Sequence, residues 1–193
     1  TLGMFKSIVD RIDWNPTVCP WMLGEAFMNR DYLEMCKYLS AKGLKYYLTT
    51  NLMAYNPVAL EYLLSPESTC YQILVSMDGV PGSGNIAKAR PGTDEKALIE
   101  RVKWLIEAKR VLGSDKDVAV KICDRGQDYG EVEEYIRHWL ERGVDYVCVG
   151  KRLEYGTDVP MRRFPCKYID RQFMVIRWDG SLALCSYNDD AIN

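Results

Sequence analysis

The sequence predicts an α/β fold: a partial (β/α) barrel of parallel strands followed by a C-terminal β-hairpin. Helical and strand-like segments alternate along the chain, and each strand is almost wholly apolar, which is typical of a parallel sheet covered by helices. The alternation stops after Gly150. The 193 residues are enough for one sizeable domain and a small appendage. We therefore expect the α/β body over residues 1–150 and a connector with the hairpin over residues 151–193.

Each element rests on a local pattern. Short apolar runs predict the strands, and apolar residues at helical spacing predict the helices. Asn56-Pro57 is an N-cap followed by proline at the first helical position, Thr93 is the expected cap of a long helix, and Asp179-Gly180 is a strong hairpin signal. The predicted strands are 17–23, 44–50, 71–77, 117–123 and 144–149. The predicted helices are 4–13, 31–42, 56–64, one from Thr93 to about Gly113, and 131–141.

Composition excludes several classes of protein. The net charge is −2 with both signs interspersed, so a nucleic-acid partner is not expected. The longest apolar runs, of about five to seven residues, are too short to span a membrane, and these residues show no signal-peptide pattern. The seven cysteines are odd in number and widely spaced, which favours a cytoplasmic protein with reduced thiols over a disulfide scaffold. Four of them, Cys19, Cys36, Cys123 and Cys148, are expected in the core.

Candidate site residues lie where the predicted strands end, because ligands of parallel sheets bind beyond the carboxyl ends of the strands. Glu25 is the most informative, since a strand interior normally avoids glutamate; its alternative role is to complement the dipole of the next helix. Thr50 and Asn51 end the second predicted strand, and Asn51 could equally cap its loop. Ser76 and Asp78 end the third, where Asp78 could instead build a turn with Gly79.

Four motifs in order resemble the radical S-adenosylmethionine (radical SAM) enzymes that carry a twitch or SPASM-type cluster domain. "LGEAFMNRDYLEMCKYLSAKGLKYYLTTN" is similar to the family's Gly-Glu-Pro segment, its helix and its Thr-Asn strand end. "VSMDG" is similar to its Ser-x-Asp-Gly strand end. "PCKYIDRQFMVIRWDGSLALC" is similar to the first part of its auxiliary cluster motif, with Cys166, Gly180, four residues and Cys185. The resemblance covers nearly the whole chain.

The resemblance implies cofactors and an activity. In this family a Cys-x-x-x-Cys-x-x-Cys loop holds a four-iron, four-sulfur cluster, and S-adenosylmethionine is cleaved there to a 5′-deoxyadenosyl radical. That radical abstracts hydrogen from the substrate, a peptide, a protein or a small molecule.

The resemblance also assigns roles to residues of this chain. Glu25 would contact the methionyl amino group, Gly24 would permit close approach, and Ser76 would reach the ribose or carboxylate region. Arg90 would bind the same part of the cofactor, unless it is a solvated surface arginine. The cofactor-binding set is completed by Thr50, Asn51 and Asp78, and the metal-binding residues would be Cys166 and Cys185, whose alternative is a pair of buried hairpin cysteines or free thiols. His138, the one histidine, is expected to be a surface or packing residue.

The sequence departs from the family in two places. It contains no Cys-x-x-x-Cys-x-x-Cys, and the Gly-Glu-Pro motif has Leu23 before the glycine and Ala26 in place of the proline. We therefore expect a fragment that lacks the family's first strand and C-terminal remainder, is inactive alone, and self-associates through an exposed sheet edge. The alternative is a non-catalytic α/β binding module or a degenerate relative.

Overall fold

The body of the protein is a four-stranded parallel sheet in which the strands follow one another in sequence order. The computed structural model describes residues 1–21, 24–124, 128–151, 174–177 and 179–183. Neighbouring strands pair in register, so that Thr50 lies beside Val75 and Ser76 beside Lys121. This arrangement confirms the predicted parallel α/β fold. The strands are β1 (Tyr46–Thr50), β2 (Cys70–Ser76), β3 (Asp117–Asp124) and β4 (Tyr146–Lys151).

Helices connect these strands, and their caps follow the local sequence. Asn56 caps its helix as predicted, because its side chain accepts a hydrogen bond from the Ala59 amide at 3.1 Å. The cap predicted at Thr93 is wrong by one residue: the Asp94 carboxylate accepts from the Ala97 amide at 3.0 Å, and a carboxylate also complements the helix dipole. The helices are α1 (Leu2–Val9), α2 (Tyr32–Ala41), α3 (Pro57–Leu64), α4 (Asn85–Ala89), α5 (Glu95–Leu112) and α6 (Tyr129–Leu140), and Ala26–Met28 forms a 3-10 turn.

The strand predicted over residues 17–23 is wrong for its described part, residues 17–21. There it contributes a single parallel bridge, between Val18 and Tyr46, supported by a 2.8 Å hydrogen bond from the Val18 amide to the Lys45 carbonyl. Pro16 and Pro20 flank this bridge, and proline has no N–H to donate to a ladder. The segment therefore runs along the edge of β1 without becoming a strand.

The two faces of the sheet have different surroundings. Leu48, Val75 and Val120 belong to the buried cluster that also contains the apolar side chains of α2, α3, α5 and α6. Side chains alternate along a strand, so in each strand the residues adjacent in sequence to these buried positions lie on the opposite face. We call that second face the open face because its side chains lie outside this buried cluster; it carries Tyr47, Thr49, Gln72, Leu74, Ser76, Ala119, Lys121, Cys123, Tyr146, Cys148 and Gly150.

The cysteines divide between these surroundings. Cys36 is fully buried, as expected. Cys123 and Cys148 are half-buried, because strand alternation places them on the open face. Cys19 is also half-buried, beside the Val18 bridge. The prediction that all four lie in the core therefore holds for Cys36 alone.

The predicted hairpin is also present. Strands β5 (Val175–Ile176) and β6 (Leu182–Ala183) pair antiparallel. Asp179 closes the turn, since its carboxylate accepts from the Ser181 amide at 2.9 Å. Cys166 and Cys185, the predicted metal ligands, lie outside the described residues, and the division near residue 150 stays a prediction. None of the described helices combines the length and the apolarity needed to cross a bilayer.

Candidate functional site

The carboxylate of Glu25 is held by the carboxyl end of β1. Its Oε1 accepts a hydrogen bond from the Thr50 hydroxyl at 2.6 Å, and its Oε2 accepts from the Asn51 amide at 2.8 Å. Glu25 is also the residue before the 3-10 turn, but its side chain makes no capping hydrogen bond there. The helix-entry alternative is therefore not what the structure contains: the carboxylate turns toward the strand end.

Gly24 gives this segment its backbone conformation. Its φ of +89° lies in the left-handed region, which strains any residue with a side chain. No heavy atom of the described residues lies within 4 Å of where a β-carbon would be. Conformation, and not crowding by the described residues, thus accounts for glycine here.

The loop after β1 is locked by its own polar groups. Thr50 is 2% exposed, and its hydroxyl oxygen also accepts from the Leu52 amide at 2.9 Å. The Asn51 side chain accepts from the Met53 amide at 2.8 Å, so Asn51 does cap its loop. Both residues therefore fix the backbone that binds Glu25, and a direct contact of Asn51 with a ligand stays a prediction.

Arg101 on α5 stabilises the same loop, and the sequence analysis missed it. Its Nη1 donates to the carbonyl oxygens of Leu52 at 2.6 Å and Met53 at 3.1 Å, while its guanidinium lies 5.1 Å from the centre of the Tyr55 ring. Helical periodicity cannot distinguish an arginine that reaches over a loop from one that points into water. No local signal identified it.

Asp78 joins the ends of β2 and β3 to α4. It is 2% exposed and has a φ of +60°. Its Oδ2 accepts from Arg90 Nε at 2.7 Å, and its Oδ1 accepts from the Cys123 amide at 2.8 Å. Arg90 is thus not a solvated surface residue. Because Asp78 engages Nε, a ligand carboxylate would have to use the two terminal nitrogen atoms of the guanidinium.

Close packing at Gly79 places Arg90. A β-carbon on Gly79 would lie 2.6 Å from the Ile86 amide nitrogen, much closer than real contacts allow. Helix α4, which contains Ile86, therefore rests directly on the chain that leaves β2, and Arg90 follows its last residue. The glycine-rich composition of this loop concealed α4 from the sequence analysis.

Ser76 and Lys121 are cross-strand partners on the open face. Ser76 is 9% exposed, and its hydroxyl has no hydrogen-bond partner among the described residues. Lys121 is half-buried, and its Cε would be 2.8 Å from a β-carbon on Gly150, so its side chain lies over that glycine. The sequence analysis missed Lys121, although a lysine amid the apolar residues of "DVAVKICD" is a detectable signal.

The predicted site residues form two neighbouring groups. Glu25, Thr50 and Asn51 lie at the end of β1, while Ser76 lies in β2 and Asp78 just beyond it. Since β1 and β2 pair in register, these strand ends are one spacing apart, about 4.8 Å. The fold therefore places these residues along one edge of the sheet.

Thiols and imidazole do not form a metal site in the described part of the chain. There, no group of three or more His, Cys, Asp or Glu side chains is placed to hold a metal ion, and Cys19, Cys36, Cys70 and Cys148 are free thiols. Burial raises the pKa of Cys36 and of Cys70 to about 12, so both are inert thiols at neutral pH. His138 packs against Trp139, with ring centres 5.0 Å apart, as expected for a packing residue.

The backbone is similar to that of SuiB from Streptococcus suis. Against a crystal structure of SuiB and against SuiB bound to S-adenosylmethionine, the TM-score is 0.57 at 16% identity, covering 78% of this chain and 33% of SuiB. Against SuiB bound to the precursor peptide SuiA, the TM-score is 0.54 at 17% identity, covering 78% and 32%. The chain thus spans about a third of SuiB, and this likeness establishes the fold. No family model matches the sequence, and no curated protein matches it.

Proposed function

We propose that this chain is the S-adenosylmethionine-binding part of a radical SAM enzyme. The observation that carries the proposal is the Glu25 carboxylate, held by Thr50 and Asn51 at the carboxyl edge of a parallel sheet whose fold is similar to that of SuiB. The position is the one at which parallel α/β proteins bind ligands. Two sequence motifs with family resemblance meet at this edge, which adds support.

Glu25 would bind the methionyl ammonium group. A carboxylate has about four lone-pair positions, and two of them accept from Thr50 and Asn51. The remaining positions are available for a charge-assisted hydrogen bond from the ligand. Because both oxygen atoms are already oriented, little side-chain freedom is lost on binding.

The methionyl carboxylate would face the group of residues at the end of β2, where Ser76, Asp78 and Arg90 lie. Arg90, held through Nε by Asp78, would offer its terminal nitrogen atoms to the methionyl carboxylate. The Ser76 hydroxyl would serve the ribose or carboxylate region. Asp78 would act as a positioning residue, since both of its oxygen atoms accept from the protein.

The iron–sulfur clusters of the family are not accounted for by the described residues. A four-iron cluster needs at least three thiolate ligands, and these residues contain no such group. When bound in a complete radical SAM enzyme, the cluster supplies the electron that cleaves S-adenosylmethionine. Ligation of an auxiliary cluster by Cys166 and Cys185 remains part of the proposal.

We propose a peptide as the substrate and the cytoplasm as the compartment. SuiB was crystallised with a precursor peptide, and the similar fold supports the same class of substrate here. The free thiols of Cys19, Cys36, Cys70 and Cys148 fit a reducing compartment.

Calorimetric titration of the 193-residue chain with S-adenosylmethionine tests the proposal. We expect saturable binding that weakens when 5′-methylthioadenosine replaces it, because that analogue lacks the amino acid bound by Glu25 and Arg90. Equal affinity for the two compounds would contradict the assigned site. Absence of saturable binding would instead favour the non-catalytic α/β module.

A further inference from the structure

Lys121 lies near the centre of the open face with polar and small residues around it. Register pairing places it between Ser76 on β2 and Cys148 on β4. Its side chain runs toward the carboxyl edge, because its Cε lies over Gly150, two residues beyond Cys148. The missing side chain at Gly150 provides the space that Lys121 occupies.

The ammonium group of Lys121 is not neutralised by the described part of the protein. No carboxylate there forms an ion pair with it. Lys121 is half-buried, so water compensates its charge only in part. An anionic ligand would supply the absent counter-charge.

S-adenosylmethionine, bound as proposed above, would have its carboxylate engaged by Arg90. Its one anionic group, the carboxylate, shares a carbon atom with the amino group that Glu25 would bind. Glu25 lies at β1, whereas Lys121 extends from β3 over β4, two to three strand spacings away or about 10–14 Å. The rest of the cofactor is neutral or, at the sulfonium, positive.

A cluster of aromatic side chains on the same face offers an apolar surface to an organic ligand. The rings of Trp21 and Tyr47 meet edge to face at 6.0 Å, and Tyr47 lies 5.9 Å from Tyr71. Tyr47 pairs with Gln72, four residues before Ser76, so these rings lie nearer the amino ends of the strands than Lys121 does. Among the described residues of the open face, a ligand would thus meet these aromatic rings and the Lys121 cation.

We propose that Lys121 binds a carboxylate of the substrate on the open face, which makes an acidic peptide the expected substrate class. The inference rests on the proposed function for the identity of the first ligand. It extends the proposed function by assigning a carboxylate group to the substrate, the second ligand of the site.

Acetylated, amidated tripeptides test this inference without a known substrate. Ala-Glu-Ala and Ala-Gln-Ala are compared by saturation-transfer NMR on the 193-residue chain, with and without S-adenosylmethionine. We expect the glutamate peptide to bind about tenfold more tightly, as one charge-assisted pair allows. Lys121→Met should abolish this preference and Lys121→Arg should retain it. The matched control Lys103→Met removes an exposed lysine of α5 and should leave the preference unchanged.

Further measurements separate the outcomes. Lys121→Met should bind S-adenosylmethionine as the wild type does. If this variant lost affinity for S-adenosylmethionine, Lys121 would be a ligand of the cofactor carboxylate, and the inference would be overturned. A preference that is absent in the wild type, or that survives Lys121→Met, would also overturn it. Gly150→Ala provides a second variant, since its β-carbon would displace Lys121 and should weaken the preference. If the wild type fails to bind S-adenosylmethionine, the proposed function fails, and the peptide preference without cofactor still reports on Lys121.

Discussion

Glu25 and Thr50, 25 residues apart in sequence, are joined by a 2.6 Å hydrogen bond. Thr50 donates to the carboxylate and accepts from the Leu52 amide, and such chains of hydrogen bonds strengthen one another in a partly buried site. Because Thr50 is 2% exposed, water does not compete for its hydroxyl. The orientation of Glu25 is therefore set before any ligand arrives.

Glu25→Gln should weaken binding of S-adenosylmethionine while preserving the fold. The amide can still accept from the Asn51 amide and donate to Thr50, but it lacks the charge that the methionyl ammonium requires. We expect the calorimetric Kd to rise by about tenfold or more. Glu34→Gln, at an exposed carboxylate of α2 paired with Lys37, is the matched control. Equal Kd values for Glu25→Gln and the wild type would remove Glu25 from the site.

The pair formed by Asp78 and Arg90 should be coupled in stability. The Asp78 side chain is 1% exposed and the Arg90 side chain 30%, so breaking the pair leaves a poorly solvated charge. We expect Asp78→Asn and Arg90→Met each to lower the free energy of unfolding in urea by about 2 kcal/mol. The double variant should cost about 1–2 kcal/mol less than the sum. If the loss in free energy of unfolding of the double variant equalled the sum of the two single losses, the contact between Asp78 and Arg90 would contribute nothing to stability.

Gly79→Ala should separate α4 from the end of β2. Its β-carbon would meet backbone atoms of Asn85 and Ile86 at 2.9 and 2.6 Å, and backbone cannot rotate away. We expect a loss of about 1–3 kcal/mol in urea denaturation and weaker binding of S-adenosylmethionine, because Arg90 moves with α4. Gly3→Ala in α1, which has open space around it, should instead stabilise by about 0.5–1 kcal/mol. Similar effects of the two changes would contradict this packing argument.

Short-range signals predicted most of the fold. Asn56 and the Asp179-Gly180 turn act on residues two or three positions away, so their patterns suffice to identify a cap and a hairpin. Apolar runs predicted β1 to β4 to within a few residues. The strand prediction at residues 17–21 was wrong because Pro16 and Pro20 have no N–H to donate to the ladder. The apolar run alone does not reveal this effect.

The side-chain contacts of the site depend on register and could not be predicted. Arg90 pairs with a carboxylate 12 residues before it only because Gly79 admits α4 so closely. Lys121 extends toward the carboxyl edge only because its neighbouring strand has Gly150 there. The sequence placed Asp78 at a strand end and Glu25 after a strand whose described part is only a single bridge. The hydrogen-bond partners of both residues emerged only from the folded chain.

Two buried thiols should make the protein less stable at alkaline pH. Burial raises the pKa of Cys36 and Cys70 from 9.0 to about 12 in the folded protein. Above about pH 9 the unfolded chain loses these protons and the folded chain keeps them, so each thiol lowers the free energy of unfolding by up to about 1.4 kcal/mol per pH unit. The stability that the protonated thiols contribute is fully present below pH 9 and is lost as the pH rises toward 12. Urea denaturation under reducing conditions between pH 8 and 10 measures it, and Cys36→Ala should make the decline of the free energy of unfolding with pH shallower. A free energy of unfolding that stays constant up to pH 10 would mean that these thiols ionise as readily in the folded chain as in the unfolded one.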